Sequence, residues 1–140
     1  MDGTLSEIKI WAANFAPRGW MFCHGQVLSV AQFSGLYSIL GTVYGGDSAT
    51  TFRLPDLRGR VPVGAGIGDE LREIQLGAAF GTEAVSLDGV EAKSHSHSKA
   101  TDVSESTTNV ASGGNEYGNH QPSIGLNYII CVNGLFPARN

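Results

Sequence analysis

The sequence predicts an α+β domain, mostly strands with one short capped helix. Three observations carry that expectation. Short apolar runs, some strictly alternating, sit between turn residues. Glycine supplies 19 of the 140 residues, about twice its usual share. Only the stretch from Ser29 to Gly41 joins a helix start, a helical stripe and a helix exit.

Taken in order, Glu7-Ile8-Lys9-Ile10-Trp11-Ala12 alternates, with Ile8 and Ile10 on one face and Lys9 and Trp11 on the other. That is the pattern of a half-buried strand. A loop around Ala16-Pro17 leads to the apolar run Trp20-Met21-Phe22-Cys23, a second strand ending at a Gly25 turn. Ser29 and Gln32 then have the spacing of a capping box, and Leu28 and Phe33 that of a hydrophobic staple. Val30, Phe33, Leu36, Tyr37 and Leu40 follow at helical spacing. Gly41 supplies an exit, so a helix over about residues 30–40 is predicted, lying on the sheet. Gly35 inside it costs about 1 kcal/mol relative to alanine, which points to close packing at that position. Tyr44-Gly45-Gly46-Asp47-Ser48 reads as a turn.

The chain is organised around Thr51-Phe52-Arg53-Leu54-Pro55-Asp56-Leu57-Arg58-Gly59-Arg60-Val61-Pro62-Val63-Gly64-Ala65-Gly66. Prolines and glycines at that density suit neither a helix nor a central strand. The expectation is an extended, tightly turned segment held by side-chain contacts rather than by a regular ladder. Arg53, Arg58 and Arg60 recur among apolar residues, and Asp56 is the nearest partner for a charge-assisted bond. A structural role for these four residues, fixing the loop, is favoured over capture of a carboxylate or a sulphated sugar. Gly64-Ala65-Gly66-Ile67-Gly68 lacks the Gly-Lys-Ser/Thr ending of a phosphate loop. Asp69 to Leu76 suits a short helix or a β-turn equally.

Glu83-Ala84-Val85-Ser86-Leu87 alternates weakly. Residues 99–118 are low in complexity and rich in Ser, Thr, Asn, Gly and acids, a composition that builds no core of its own. They read as a surface loop on a single domain spanning 1–140. Asn127-Tyr128-Ile129-Ile130-Cys131-Val132 is mostly apolar without a break, as a buried central strand is. Cys23 and Cys131 lie in apolar runs without metal-ligand spacing and read as buried free thiols, with a single bridge as the alternative.

Composition limits function. A hydrophobic share of 41% supports a core, and a charged share of 16% is below the usual quarter. Few charges and many glycines suggest β-rich structure with many turns and with surface covered by neighbouring chains. A net charge of −4 gives no footprint for nucleic acid or an acidic membrane. No stretch approaches the roughly 20 apolar residues of a membrane span. The first residues lack the basic and apolar regions of a secretory signal. No Gly-x-Ser-x-Gly elbow occurs, and the neighbours Cys23 and His24 point to opposite faces in a strand, so no enzyme is expected.

The central stretch does not stand alone. Asn14-Phe15-Ala16-Pro17-Arg18-Gly19-Trp20, Cys23-His24-Gly25-Gln26 and Leu40-Gly41-Thr42-Val43-Tyr44-Gly45-Gly46-Asp47 precede it. Gln121-Pro122-Ser123 and Gly134-Leu135-Phe136-Pro137-Ala138-Arg139-Asn140 follow it. In that order these residues resemble the phage tail-collar family, including the microcystin-dependent proteins of bacteria. One departure is His24-Gly25 where the family usually carries Asp-Gly. The resemblance implies a tail-collar-like fold and a structural or receptor-contacting subunit of a phage tail fibre or tail-like particle, working as a homo-oligomer, as the related fibre ends assemble as trimers. It places the protein outside the cell or on a virion, with residues 99–118 displayed toward a host-surface glycan or receptor. The chain begins almost at the module, so no fibrous shaft is expected. A self-assembling subunit of a free extracellular filament is the alternative, and a carbohydrate-binding module stacking sugars on Trp11, Phe15 and Trp20 is a further one.

Ser94-His95-Ser96-His97-Ser98 is the one metal-like motif. In an extended chain both imidazoles point to the same side, but two ligands make no tight site. Related tail-fibre ends bind iron through such pairs on a threefold axis, which implies iron or zinc held by His95 and His97 across three chains. Lys93 argues against it, because its ammonium falls on the same side as the cation. A solvated polar strand is the simpler reading.

Overall fold

The structure, a computed structural model, describes residues 3–86, 116–118 and 121–138. These fall into two compact units, Met1–Ala79 with Ile124–Asn140, and Phe80–Ser123. The expected domain of α+β type, mostly β with one short helix, is what the described residues form.

In the larger unit, β1 (Ile8–Trp11) and β2 (Trp20–Phe22) flank the last strand of the chain, β7 (Asn127–Cys131). β7 runs antiparallel to both, pairing Ile8 with Ile130 and Trp20 with Cys131. Its unbroken apolar run has a direct cause: the sheet is covered on both sides. Ile130 joins Cys23, Leu28, Leu36, Phe52 and Leu54 in one cluster, while Ile129 and Cys131 join Trp20 in another. Central burial of this strand is as expected.

β1 alternates as its sequence does, but its two isoleucines are the exposed face. Ile8 and Ile10 are 41% and 61% exposed, while Lys9 and Trp11 are half-buried. The reason is the wider cover on the other side, where the Trp11 indole N–H donates to the Phe15 carbonyl at 2.7 Å and the Lys9 ammonium lies 4.9 Å from the Trp20 ring.

The helix differs from expectation at its start. α1 spans Ser34–Leu40, its N-cap position is Phe33, and no side chain caps it. Ser29 instead ends β3 (Val27–Ser29), which pairs antiparallel with β4 (Thr51–Arg53). The next amide, Val30, donates to Thr50. Sheet pairing therefore takes the backbone that a capping box needed, and residues 30–33 form a turn. The exit is as expected: Gly41, at φ 54°, donates to the Tyr37 carbonyl at 2.7 Å. A side chain at Gly35 would meet Leu5 at 3.4 Å, an ordinary contact, so the close packing expected there is not what the structure shows.

The central stretch is also more regular than expected. Phe52 and Leu54 are buried, and the backbone keeps a partner from Thr51 to Leu57. After the β4 ladder, Leu54 N–H donates to Gln26, Gly25 N–H to Pro55, and Leu57 N–H to Cys23. Alternate backbone bonds, not side chains, hold it up to Leu57.

The smaller unit contains β5 (Ala84–Ser86) paired antiparallel with β6 (Glu116–Gly118). β5 falls where the weak alternation placed it. β6 takes the last three residues of the stretch 99–118, whose residues 99–115 lie outside the described residues.

Candidate functional site

Of the four residues of the central motif, three come together. Arg58 and Asp56 are two residues apart, just beyond the point where Leu57 is tied to Cys23. Arg58 Nε donates to Asp56 Oδ1 at 2.8 Å and Nη2 to Oδ2 at 2.7 Å, a two-pronged ion pair. The Arg58 amide adds a third bond to Oδ1 at 3.2 Å. Arg60 reaches back to the Arg58 carbonyl at 3.4 Å. Arg53 does not join them; its Cδ lies 3.2 Å from where a side chain on Gly45 would begin.

This geometry closes a turn and uses two of the five N–H donors of the Arg58 guanidinium. The Arg58 guanidinium holds the Asp56 carboxyl well below the usual carboxylate range. Asp56 also packs against the bend at Gly25, where any side chain would meet its Cβ at 3.2 Å. The neighbouring His24 stacks on Phe22 with ring centres 5.1 Å apart and planes at 12°.

A second carboxylate, which the sequence reading passed over as part of a turn, does comparable work. Asp47 Oδ1 accepts the amides of Ala49, Thr50 and Thr51 at 3.0, 2.8 and 2.7 Å, and Oδ2 accepts the Thr50 hydroxyl at 2.6 Å. The Thr50 hydroxyl and the backbone amides push its carboxyl far down. The available signal was an aspartate followed by small hydroxyl residues, the composition of an Asx turn.

The other candidates fall in different places. Cys23 and Cys131 are buried free thiols in separate clusters, and burial pushes the Cys23 thiol up to about 12. Trp20 is core, while Phe15 is exposed and meets Trp11 edge-on at 6.4 Å. A hollow of about 290 Å³ beside the start of α1 is walled by Leu5, Phe33, Leu36 and Val132, and none of its walls carries a titratable side chain. Among the described residues no group of three or more His, Cys, Asp or Glu side chains could hold a metal ion. His95 and His97 lie outside the described residues.

Residues 6–62, which contain β1 to β4, α1 and the whole Asp56–Arg58 turn, match the phage tail collar domain family. That similarity covers under half of the chain. The chain is also similar to the short tail fiber protein gp12 of Enterobacteria phage T4, at 40% identity over 68 residues. That match takes in 48% of this chain and 13% of the phage protein, so the chain spans only a small part of that relative. Within residues 6–62, Asp47, Asp56 and Arg58 all bond to the protein's own backbone or to one another. No helix among the described residues is long and apolar enough to cross a membrane.

Proposed function

We propose that the protein is a non-enzymatic structural subunit of a phage tail fibre or phage tail-like particle, associated with the virion and working as a homo-oligomer. The observation that carries this reading is the collar domain itself, together with its 40% identity to a short tail fiber protein. The motif charges support a structural role, because Asp56 and Arg58 are spent on each other. The thiol of Cys23, buried and pushed up to about 12, is a poor nucleophile.

Self-association is supported by the surface. Ile8, Ile10, Val61, Ile67, Leu71 and Ile124 are all exposed in the single chain. Large apolar side chains left exposed in a single chain are candidates for burial against a partner. Adhesion is the second part of the proposal, with the stretch 99–118 presented toward a host-surface glycan or receptor.

Electron microscopy of the purified protein tests the assembly. Discrete particles of a few copies are expected. Long helical filaments would instead favour a free extracellular fibre, and single copies at every concentration would overturn the reading. Host-cell binding by the intact protein, lost when residues 99–115 are replaced by a short glycine-serine linker, is expected for adhesion; unchanged binding would overturn that part.

A further inference from the structure

β7 ends at Cys131, and the chain that leaves it carries Asn133-Gly134. Asparagine is a chemically labile residue, and most so before glycine. Its side-chain carbonyl carbon can close a five-membered ring with the next backbone nitrogen, and glycine puts no Cβ in the way. A fold suppresses that reaction by holding the side chain or by engaging the following N–H.

Here it does neither. Asn133 is exposed. Among the described residues nothing pairs with its side-chain amide, and nothing accepts the Gly134 N–H. The amides on either side are engaged: Val132 and Asn133 donate to the Gly19 carbonyl at 2.9 and 3.1 Å, and Leu135 to the Gly3 carbonyl at 2.9 Å. Asn133 and Gly134 also line the hollow of about 290 Å³ beside α1, which gives the side chain room to turn.

The same place leaves little room for a longer backbone. A Cβ on Gly134 would run into the Gly3 carbonyl and lie 2.6 Å from the Cys131 sulfur. Just beyond, the Leu5 N–H donates to the Leu135 carbonyl at 2.8 Å. With the Leu135 bond to Gly3, it makes the parallel bridge that clasps residues 3–5 to the tail of the chain.

We propose that Asn133-Gly134 is a self-modification site, where the native chain converts Asn133 to isoaspartate and aspartate and so loosens the clasp between residues 3–5 and Leu135. The Gly134 nitrogen attacks the Asn133 side-chain carbonyl carbon. A new N–C bond forms, the bond to the side-chain nitrogen breaks, and ammonia leaves with the proton that Gly134 gives up. Water then opens the cyclic imide at either carbonyl; nothing is oxidised or reduced, and water is the sole co-reactant. Opening at the backbone carbonyl gives isoaspartate, which lengthens the main chain by one carbon where Gly134 meets Gly3. Either product adds a negative charge. No residue lining the hollow is an acid or a base, so the rate follows hydroxide from solvent.

The test is to hold the full chain at pH 8 and at pH 6, with a urea-unfolded sample in parallel as the reference. Ion exchange resolves the acidic product, and peptide mapping with an isoaspartyl methyltransferase places it. Isoaspartate at position 133 is expected in the native chain, within 10-fold of the unfolded rate and at least 10-fold faster at pH 8 than at pH 6. Asn133→Gln, whose ring would be six-membered, should lose the product. A native chain intact at 133, or modified more than 10-fold slower than the unfolded one, overturns the site. In the separated product the Leu5 and Leu135 amides should exchange hydrogen at least 10-fold faster than in the parent; unchanged exchange overturns the loosening of the clasp.

Discussion

Arg58 grips Asp56 across a gap of one residue, with Nε and Nη2 each donating to a separate carboxylate oxygen at 2.8 and 2.7 Å. Leu57, between them, is tied to Cys23, so this ion pair closes the chain immediately after its last backbone anchor on the sheet. The Arg58 side chain is largely in water, at 62% exposure, and Asp56 partly so, at 36%, and a pair open to solvent contributes little on its own. Replacing Arg58 with methionine is therefore expected to lower the melting temperature by only about 2 °C. Lysine should not restore it, because a point charge cannot make two parallel bonds. Calorimetry of the two variants checks this; a methionine variant as stable as the parent would show that the backbone alone holds the turn.

Asp47 makes a stronger prediction. Its carboxylate gathers three amides and a hydroxyl, fixing the loop that leads into β4. Like Asp56, it titrates below its ordinary value of 3.8 in the folded chain. As pH falls, the unfolded chain therefore takes up these protons first. The stability that the two carboxylates lend is complete above about pH 5 and drains away as pH falls through 3.8 toward their lower folded values. Thermal melts between pH 7 and pH 2 should show that decline. Asp47→Ala should melt on the order of 5 °C lower at pH 7, and its decline below pH 5 should be shallower than the parent's.

What the sequence made legible was whatever depended on local pattern. The run Asn127 to Cys131 had to be a central strand because no single-faced strand carries so many apolar residues in a row, and clusters on both sides of the sheet receive them. The helix exit at Gly41 was readable for the same reason. What could not be read was competition between partners far apart in the chain. Ser29 and Gln32 have good capping geometry locally, yet Ser29 is opposite Thr51, and the sheet takes it. In β1 the alternation tells which residues share a face but not which face is covered, and Trp11, with its bond to Phe15, wins cover over two isoleucines. At the central motif the pairing of Asp56 with an arginine was legible, since the two lie close in sequence. That Arg53 would pack along Gly45 instead required the fold.

Cys23 and Cys131 should be silent in the native protein. Cys23 belongs to the cluster around Leu36 and Phe52, and Cys131 to the one around Trp20, so the central sheet separates them. Burial raises both thiols, Cys23 to about 12, leaving almost no thiolate at pH 8. Titration with a thiol reagent at pH 8 is expected to find neither cysteine until denaturant is added, and then both. Rapid reaction of one cysteine in native buffer would mean that its cluster opens. A disulfide in the non-reduced protein would contradict the packing outright.

The turn at Gly46 gives the sharpest test of the fold. Its φ is 119°, a region that side chains rarely enter, and a Cβ placed there would lie 2.5 Å from both the Phe52 Cα and the Thr51 carbonyl oxygen. Neither atom can move without breaking β4 at its most buried residue, Phe52. Gly46→Ala is thus expected to cost about 3 kcal/mol or more, through strain in the turn and loss of packing beneath it. Gly125 is the control: a Cβ there meets nothing within 4 Å, so Gly125→Ala should stay within about 0.5 kcal/mol of the parent. Urea unfolding of the two variants separates the outcomes. If Gly46→Ala unfolds at the same urea concentration as the parent, the close approach of the Gly45-Gly46 turn to Phe52 is not a feature of the folded chain, and the placement of Asp47 above β4 falls with it.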